Sequence, residues 1–525
     1  MKLPYQAIVL LSLSFVFISP NCVNLIQEHE VIKLNILQKN DSKFSNFLGV
    51  NAFEWDFLDN SNRNIDNKKL KNMKSFGGFR HYMDWERIET KKGQYYFNPT
   101  QSGSFNYDAV YEACSKNNIS ILACLKTIPT WMIETYPKTE RDNENVAAPY
   151  GLNRSDPASY IDQAKAGFQF TARYGSNKNI DTSLIFFDRH QLNTINNKPI
   201  VGLGYVQYIE CNNEVDRTWK GPKAHQSPEE YAANLSAFYD GDKGRLGKGV
   251  GIKTADPTMQ VVMSGLGMSG PEYVIGMIEW CRKHRGVKAD GSVNLCFDVI
   301  NYHFYNNNAS FGKDNATTGS APELSPAAKQ AEDFVAMSKK YANNIPVWIT
   351  ESGYDINSGS IQRAPQIGDK TALITQADWM LRSSLLYARH GLKASFYYML
   401  DDAASNQPGR FATSGFIDGY HKRPVTDYFL QTKDLIGKYH YEQTINRNPI
   451  VDVYALSNKK MYIVFIPEDK NSKATYELSL PGSRSAKINY LVAGSDKMLT
   501  ENVTVKSGKL KINVTETPVF VEKLN

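Results

Sequence analysis

Cysteine is scarce in this sequence of 525 residues. The six cysteines are Cys22, Cys114, Cys124, Cys211, Cys281 and Cys296. Their spacing lacks the short paired intervals of a metal-binding motif, so the sequence predicts no metal site. Five of them follow the N-terminal segment, and this odd number leaves at least one free thiol. We therefore expect at most one disulfide, and Cys281–Cys296 is the favoured pair because the two residues are close in sequence.

The sequence also has no Lys/Arg-rich run and only one long apolar run. Its net charge of +6 is spread over the chain, so we do not expect a nucleic-acid partner. The apolar run, Ala7–Ile18, suits a signal peptide and is too short to span a bilayer. We predict a signal peptide over residues 1–22 and a secreted, periplasmic or surface-anchored protein without a transmembrane segment. Lipidation at Cys22 is an alternative anchor, although Ser19-Pro20-Asn21 matches the usual small-residue run poorly.

Strand-like segments alternate with amphipathic helical segments through most of the chain. This alternation predicts a (β/α)8 TIM barrel over residues 46–438. A doubly wound open sheet is the alternative, but the first strand is followed by Phe53-Glu54-Trp55-Asp56 rather than a glycine-rich phosphate turn. The eight predicted strands are Phe47–Phe53, Gly78–Met83, Ile119–Leu125, the segment from Tyr205 towards Glu214, Met259–Ser264, Phe297–His303, Pro346–Thr350 and Ala394–Leu400.

From about Tyr439 onwards the pattern changes to short alternating segments without helices. Seven such segments between Ile450 and Val521 predict a smaller antiparallel β-sandwich over residues 439–525. An N-terminal segment over residues 23–45 contains one further strand-like run near Val31–Ile36. We expect this segment to join the sandwich.

Two predicted barrel strands end in a carboxylate. Glu214 follows the fourth strand beside Asn213, and Glu351 follows the seventh strand. Active sites of parallel barrels lie at the C-terminal ends of the strands, so these carboxylates face each other across the barrel mouth. A pair about 5–5.5 Å apart is the arrangement of a retaining glycosidase. A nearby arginine, Arg80 in the second strand, would favour the ionised form of one carboxylate.

Other side chains near the strand ends are candidates for binding a substrate. Flat apolar sugar faces pack well on aromatic rings, although Trp55, Trp131 and Trp219 could equally be packing residues. His303 has the alternative of a hydrogen-bonded core histidine, and Arg80 that of a buried ion pair. The predicted substrate-binding residues are Arg80, His81, Lys126, Trp131, Asn213, Arg217, Trp219, His303, Tyr305 and Tyr398.

This pattern resembles glycoside hydrolase clan A, in particular its family 39-like, 30-like and 51-like members with a trailing β-sandwich. The matching motifs are Asn213-Glu214, Thr350-Glu351-Ser352-Gly353, Arg80, His303-Phe304-Tyr305 and the segment from Trp85 to Phe97. The resemblance implies that Glu214 is the acid/base and Glu351 the nucleophile. It also implies that Asn213 binds the sugar 2-hydroxyl and that Tyr305 holds the nucleophile. Many clan members carry a tryptophan after the eighth strand, where this chain has Tyr397 to Asp402.

The sequence therefore predicts a retaining glycoside hydrolase that acts on a polysaccharide or oligosaccharide and needs no cofactor. Lys126, Arg217, Lys220 and Lys223 near the predicted mouth raise the alternative of an anionic glycan, sulfated or uronic. The rival function is a glycan-binding protein on a barrel that has lost catalysis. A metal-dependent barrel hydrolase is disfavoured because the first strand lacks a His-x-His pair. The sequence does not decide the sugar, the linkage, endo or exo action, or the oligomeric state.

Overall fold

The computed structural model describes residues 40–186, 199–309, 315–403, 408–419 and 421–524. The predicted signal peptide, Cys22 and the expected strand at Val31–Ile36 lie outside the described residues. Within the described ranges, no helix has the length and hydrophobicity that a membrane crossing requires.

The predicted barrel is present. Its eight strands are β1 (Gly49–Ala52), β2 (Gly78–Asp84), β3 (Ser120–Lys126), β4 (Tyr208–Cys211), β5 (Gln260–Met263), β6 (Ile300–His303), β7 (Val347–Glu351) and β8 (Ala394–Tyr397). They are parallel and follow the order β5-β4-β3-β2-β1-β8-β7-β6. Parallel bridges from Val262 to Val299 and from Leu266 to Tyr302 join β5 to the chain around β6, and so close the barrel.

Helices cover the outside of the barrel. The longer ones are α1 (Asn67–Met73), α2 (Tyr107–Lys116), α3 (Ile161–Tyr174), α4 (Pro228–Asp240), α5 (Pro271–His284), α6 (Ala327–Tyr341), α7 (Ala372–Arg389) and α8 (Pro424–Ile436). Helix α4 shows how the sequence sets their ends. The Ser227 hydroxyl accepts the Glu230 amide hydrogen, and Gly241 ends the helix in a left-handed conformation with φ of 64°.

The barrel interior is apolar at the N-terminal ends of the strands and polar above. Leu122, Val262, Trp348 and Phe396 pack together in the apolar layer. Phe396 fits because β1 begins with a glycine: a Cβ at Gly49 would lie 2.4 Å from its ring. Above this layer the strands carry buried polar side chains. The polar side chains of the barrel interior therefore lie near its C-terminal mouth.

After β8, the short strands β9 (Ile417–Asp418) and β10 (His421–Lys422) pair with each other. The C-terminal residues then form the predicted antiparallel sandwich, whose strands are β11 (His440–Arg447), β12 (Ile450–Leu456), β13 (Lys459–Phe465), β14 (Lys473–Ser479), β15 (Ser485–Tyr490), β16 (Leu499–Thr504), β17 (Lys509–Thr515) and β18 (Val519–Leu524). One sheet has six strands in the order β11-β12-β13-β18-β15-β16, and β14 pairs with β17 in the second sheet. Apolar side chains including Val451, Val464, Leu478 and Val514 fill the space between the sheets. The sequence analysis missed β11, which is polar along most of its length.

Buried ion pairs join the barrel to the sandwich. Arg389 at the end of α7 binds Asp452 of β12 at 2.6 Å, and both side chains are buried. Lys370 binds Glu516 at 2.7 Å and Asp378 at 3.1 Å. Charges removed from water in this way require their partners, so the two parts of the chain are packed as one unit.

The cysteines are all free among the described residues. The expected partners Cys281 and Cys296 are neighbours, with 3.4 Å between their sulfur atoms, but they are thiols. The predicted proximity is therefore correct and the predicted disulfide is not formed. Cys281 lies on the buried face of α5, and Cys296 is also buried, in surroundings where a small apolar residue packs well.

Candidate active site

The structure brings Glu214 and Glu351 together at the C-terminal mouth of the barrel. An oxygen of each carboxylate and a ring nitrogen of His303 all lie within 4.8 Å of one another. This separation is compatible with the spacing of about 5–5.5 Å that retaining glycosidases use, and it leaves no room for a water between the carboxylates and a sugar ring. Glu351 is the last residue of β7, and its side chain is only 9% exposed.

Glu214 lies in the loop after β4, where its backbone adopts the left-handed region with φ of 46°. Its amide donates to the Gly265 carbonyl oxygen at 3.1 Å, which ties this loop to the one after β5. Gly267 keeps the space beside its carboxylate open, because a Cβ there would lie 2.9 Å from Oε1. The Glu214 side chain is 22% exposed, so it is more accessible to water than Glu351.

Arg80 lies beneath both carboxylates and is fully buried. Its Nη1 donates to Glu351 Oε1 at 2.8 Å, and its Nη2 donates to Asn213 Oδ1 at 2.8 Å. Although burial opposes its charge, Glu210 and Glu351 hold the pKa of the Arg80 guanidinium above its ordinary value. Arg80 therefore remains a fixed positive charge that orients Glu351.

Glu210 is the partner of Arg80 that the sequence analysis missed. Its two oxygens accept from Arg80 Nε at 2.7 Å and from Nη2 at 2.9 Å, and neither side chain is exposed. The Gly265 amide and Asn301 Nδ2 also donate to Glu210, each at 3.0 Å. The sequence does contain a signal for this ion pair. Glu210 lies within the apolar strand Tyr208–Cys211, and a carboxylate buried in such a strand must have a partner.

His303 at the end of β6 contacts both catalytic candidates. Its Nδ1 is 2.9 Å from Glu214 Oε1 and 3.6 Å from Glu351 Oε2. On its other side, Nε2 is 3.1 Å from Thr350 Oγ1, which accepts a hydrogen from Asn301 Nδ2 at 2.8 Å. This network favours the tautomer in which Nε2 accepts from Thr350 and Nδ1 carries the hydrogen that points at Glu214.

Tyr305 supports the second oxygen of the buried carboxylate. Its hydroxyl donates to Glu351 Oε2 at 3.1 Å. Burial, together with Glu351, raises the pKa of Tyr305 well above its ordinary value, so the phenol stays protonated and remains a donor. Both oxygens of Glu351 are thus held by donors, one by Arg80 and one by Tyr305.

These groups open into a cavity of about 550 Å³. Its size is in the usual range for small-molecule sites. Three of the predicted substrate-binding residues, Asn213, Trp219 and Tyr398, lie in its wall. Arg410 and Phe411 come from a loop after β8 that the sequence analysis did not single out. Trp219 is 54% exposed. The lining residues are Tyr82, Glu144, Asn213, Glu214, Thr218, Trp219, Gly267, Met268, Glu351, Tyr398, Arg410 and Phe411.

The structure does not bring His81 and Trp131 to this cavity. His81 is buried on the outer side of β2, with Nδ1 2.7 Å from the Tyr111 hydroxyl and Nε2 3.3 Å from Glu54 Oε1. Successive strand residues point to opposite faces, so Arg80 points inwards and His81 towards α2. Trp131 donates from Nε1 to the Glu89 carbonyl oxygen at 3.0 Å and packs edge-on against Trp85.

Three of the four cations that suggested an anionic glycan, Lys126, Arg217 and Lys220, are paired with carboxylates. Lys126 Nζ lies 2.7 Å from Asp84 and 4.4 Å from the Tyr82 ring centroid, at the edge of the cavity. Arg217 Nη1 lies 3.0 Å from Glu144, and its Nε donates to the Glu214 carbonyl oxygen at 2.8 Å. Lys220 binds the same glutamate at 2.7 Å. Their charges are therefore largely compensated within the protein.

Glu214, His303 and Glu351 could each offer one atom to a metal ion. The fixed guanidinium of Arg80, 2.8 Å from Glu351, opposes a second positive charge there. Three ligands, one of them already bound to an arginine, form a poor cation site.

The fold is similar to that of solved glycoside hydrolases of families 39, 30 and 51. A family 39 glycoside hydrolase from Bacteroides cellulosilyticus has a TM-score of 0.59 and 16% identity, covering 92% of this chain and 81% of that one. A family 30 subfamily 8 xylanase from Clostridium acetobutylicum has a TM-score of 0.52 and 12% identity, covering 93% and 98%.

A family 51 α-L-arabinofuranosidase from Bifidobacterium longum has a TM-score of 0.53 and 11% identity, covering 93% of this chain and 97% of that one. No protein-family model and no curated protein sequence matches this chain. At these identities the likeness confirms the predicted fold. It includes the three families that the sequence pattern resembled.

Proposed function

We propose that this protein is a retaining glycoside hydrolase that cleaves a polysaccharide or its oligosaccharides by double displacement. The observation that carries the proposal is the geometry of Glu214 and Glu351, with oxygens within 4.8 Å of each other and with different surroundings. Both oxygens of Glu351 accept hydrogen bonds, one from Arg80 and one from Tyr305. Glu214 contacts His303 and is open to the cavity.

In the first step Glu351 attacks the anomeric carbon and the glycosidic C–O bond breaks. Glu214 gives its proton to the leaving oxygen, so the departing sugar leaves as an alcohol. In the second step Glu214, now a carboxylate, takes a proton from water. The water oxygen then displaces Glu351, which restores both carboxyl groups and gives a product of retained configuration. Asn213 lies where it can bind the sugar hydroxyl next to the reacting carbon.

The charge of the cavity supports a neutral glycan better than an anionic one. Its lining includes three glutamates, Glu144, Glu214 and Glu351, and one arginine, Arg410. Three of the predicted cations, Lys126, Arg217 and Lys220, are bound to carboxylates. We further propose export through the N-terminal signal peptide, and a division into the barrel over 46–438 and the sandwich over 439–525.

The decisive experiment is turnover on a panel of neutral, sulfated and uronic polysaccharides, with product size and anomeric configuration as readouts. Glu351→Gln should abolish turnover. The catalytic rate of Glu214→Gln should fall about 10²–10⁴-fold on natural glycans. It should fall much less on aryl glycosides, whose leaving groups need no proton. Azide should restore the Glu214 variant and give a glycosyl azide of retained configuration.

Glu112→Gln is the matched control, because Glu112 lies on the surface of α2 in an ion pair with Lys116. This variant should behave as wild type. If wild type and all variants fail across the panel while binding a glycan, the rival function of a glycan-binding protein replaces the enzyme. If Glu351→Gln retains activity, the assignment of the nucleophile is wrong.

A further inference from the structure

A strip of four aromatic rings leads away from the catalytic cavity across the ends of β8, β2 and β1. Tyr398 and Tyr82 line the cavity, and their ring centroids are 6.1 Å apart. Phe53 follows at 6.0 Å from Tyr82, and Trp55 at 4.4 Å from Phe53. All four rings are at least partly exposed. We call these residues the aromatic strip.

The far end of the strip borders a second cavity of about 200 Å³. Trp55, 44% exposed, forms one wall, and the polar side chains of Asn72 and Asp401 also line the space. An exposed indole beside a carboxylate and an amide is a suitable set for a neutral sugar. The indole packs against the apolar face of the ring, and the polar groups bind its hydroxyls.

The Trp55 ring is fixed before any ligand arrives. Phe53 stacks on it with an angle of 9° between the ring planes. The Trp55 carbonyl oxygen accepts from Lys69 Nζ at 2.9 Å, and Asp56 accepts the Phe53 amide hydrogen at 2.7 Å, which holds the turn. A platform that is already ordered loses little conformational entropy on binding. A single exposed tryptophan is ordinary on a protein surface. Trp55 differs because its ring is held by neighbouring residues and lies at the end of a row of aromatic rings that begins in the catalytic cavity.

The strip and the acid/base candidate lie on different sides of the cavity. Trp219 is next to Glu214, since the open space at Gly267 is bounded by both side chains, at 3.1 Å and 2.9 Å from a Cβ placed there. The acid/base protonates the leaving group, so Trp219 borders the leaving-group side. The aromatic strip, on the β8, β2 and β1 side, then borders the part of the chain that Glu351 retains.

We propose that the aromatic strip is a distal glycan-binding subsite, with Trp55 as its outer platform, and that the protein consequently cuts within neutral polysaccharide chains. This inference rests on the proposed glycosidase function. Rings on both sides of the carboxylates suit a chain that passes through the site, whereas an enzyme that removes terminal sugars needs a closed end.

The test compares wild type with Trp55→Ala on an oligosaccharide ladder of the polysaccharide that wild type degrades best. The variant should lose about tenfold in kcat/KM on long oligosaccharides relative to its own value on the shortest substrate, as expected from one lost aromatic contact. Trp55→Phe should recover part of this loss. The control is Tyr150→Ala, because Tyr150 is 51% exposed and lies outside both cavities.

Each outcome decides one of the two proposals. If wild type acts and Trp55→Ala keeps the wild-type dependence on chain length, the subsite is wrong and the glycosidase proposal stands. If wild type releases only terminal sugars without lowering polymer viscosity, cutting within chains is wrong. If wild type degrades nothing, the glycosidase proposal fails. In that case, the Glu351→Gln variant is run through affinity gels that contain the polysaccharide. If the gel retards this variant, and retards the double variant Glu351→Gln/Trp55→Ala less, the subsite is supported. If the gel does not retard Glu351→Gln, the subsite is wrong.

Discussion

Replacing Glu210 with glutamine tests the buried network beneath the site most directly. Every partner of this carboxylate is a donor: Arg80 through Nε and Nη2, the Gly265 amide and Asn301 Nδ2. A glutamine has one accepting oxygen and one NH₂ group. Whichever way its amide turns, the NH₂ group faces a donor, so at least one charge-assisted bond is lost and one donor is left buried without an acceptor.

The expected loss of stability follows from these contacts. Breaking a buried ion pair by neutralising one partner typically costs about 3–5 kcal/mol. Arg80 retains Glu351 at 2.8 Å in the variant, so the lower end of the range applies, about 3 kcal/mol. Catalysis should fall as well, because the same guanidinium positions Glu351, the proposed nucleophile.

The assay is chemical denaturation followed by tryptophan fluorescence, with aryl-glycoside turnover measured where both proteins are folded. Glu477→Gln is the matched control, since Glu477 pairs with Lys509 at 2.7 Å on the exposed face of β14. That variant should keep the wild-type midpoint, because exposed ion pairs contribute little. A Glu210→Gln midpoint equal to that of the control would refute the argument that the network holds the barrel interior.

Three further predictions concern pH, the packing of the sandwich and salt. Burial raises the pKa of Asp56 to about 7 from an ordinary 3.8, so its favourable contribution is present below about pH 4 and lost as pH rises through 7. The stability difference between wild type and Asp56→Asn should therefore change by on the order of 4 kcal/mol over that range, because each pKa unit corresponds to about 1.4 kcal/mol, and a constant difference in urea midpoints would contradict this. Asp452→Asn should destabilise the protein by about 3 kcal/mol, because Arg389 is left buried without its carboxylate; an unchanged thermal midpoint would contradict it. Added salt should change kcat/KM on the polysaccharide by less than about twofold, since the cations of the mouth are paired, and a steep fall would instead favour an anionic glycan.

The sequence was sufficient to predict the barrel because its strands are short apolar runs separated by amphipathic helices. The positions of Glu214 and Glu351 also followed from the sequence, since any residue just past a parallel strand reaches the mouth. Because successive residues of a strand point to opposite faces, an inward-pointing Arg80 means that His81 points outwards. The outward direction of His81 could therefore have been predicted from the sequence.

Other features depend on contacts that no local pattern specifies. Arg410 and Phe411 reach the cavity from a loop whose path is set by the barrel around it. The pairing of Arg217 with Glu144 joins loops that are distant in sequence, so a count of cations near the mouth overstated its positive charge. Trp131 looked like a sugar platform, but its contact with Glu89 is visible only in the folded chain.

Glu214 has an unusual backbone conformation for a residue with a side chain. With φ of 46°, this residue occupies a region that costs an ordinary side chain about 1–2 kcal/mol and costs glycine very little. Selection for folding alone would therefore favour glycine or asparagine at this position. A glutamate there lowers the stability of the folded chain, as residues held in strained conformations at functional sites do. The position is thus one at which variants that fold better are expected to work worse.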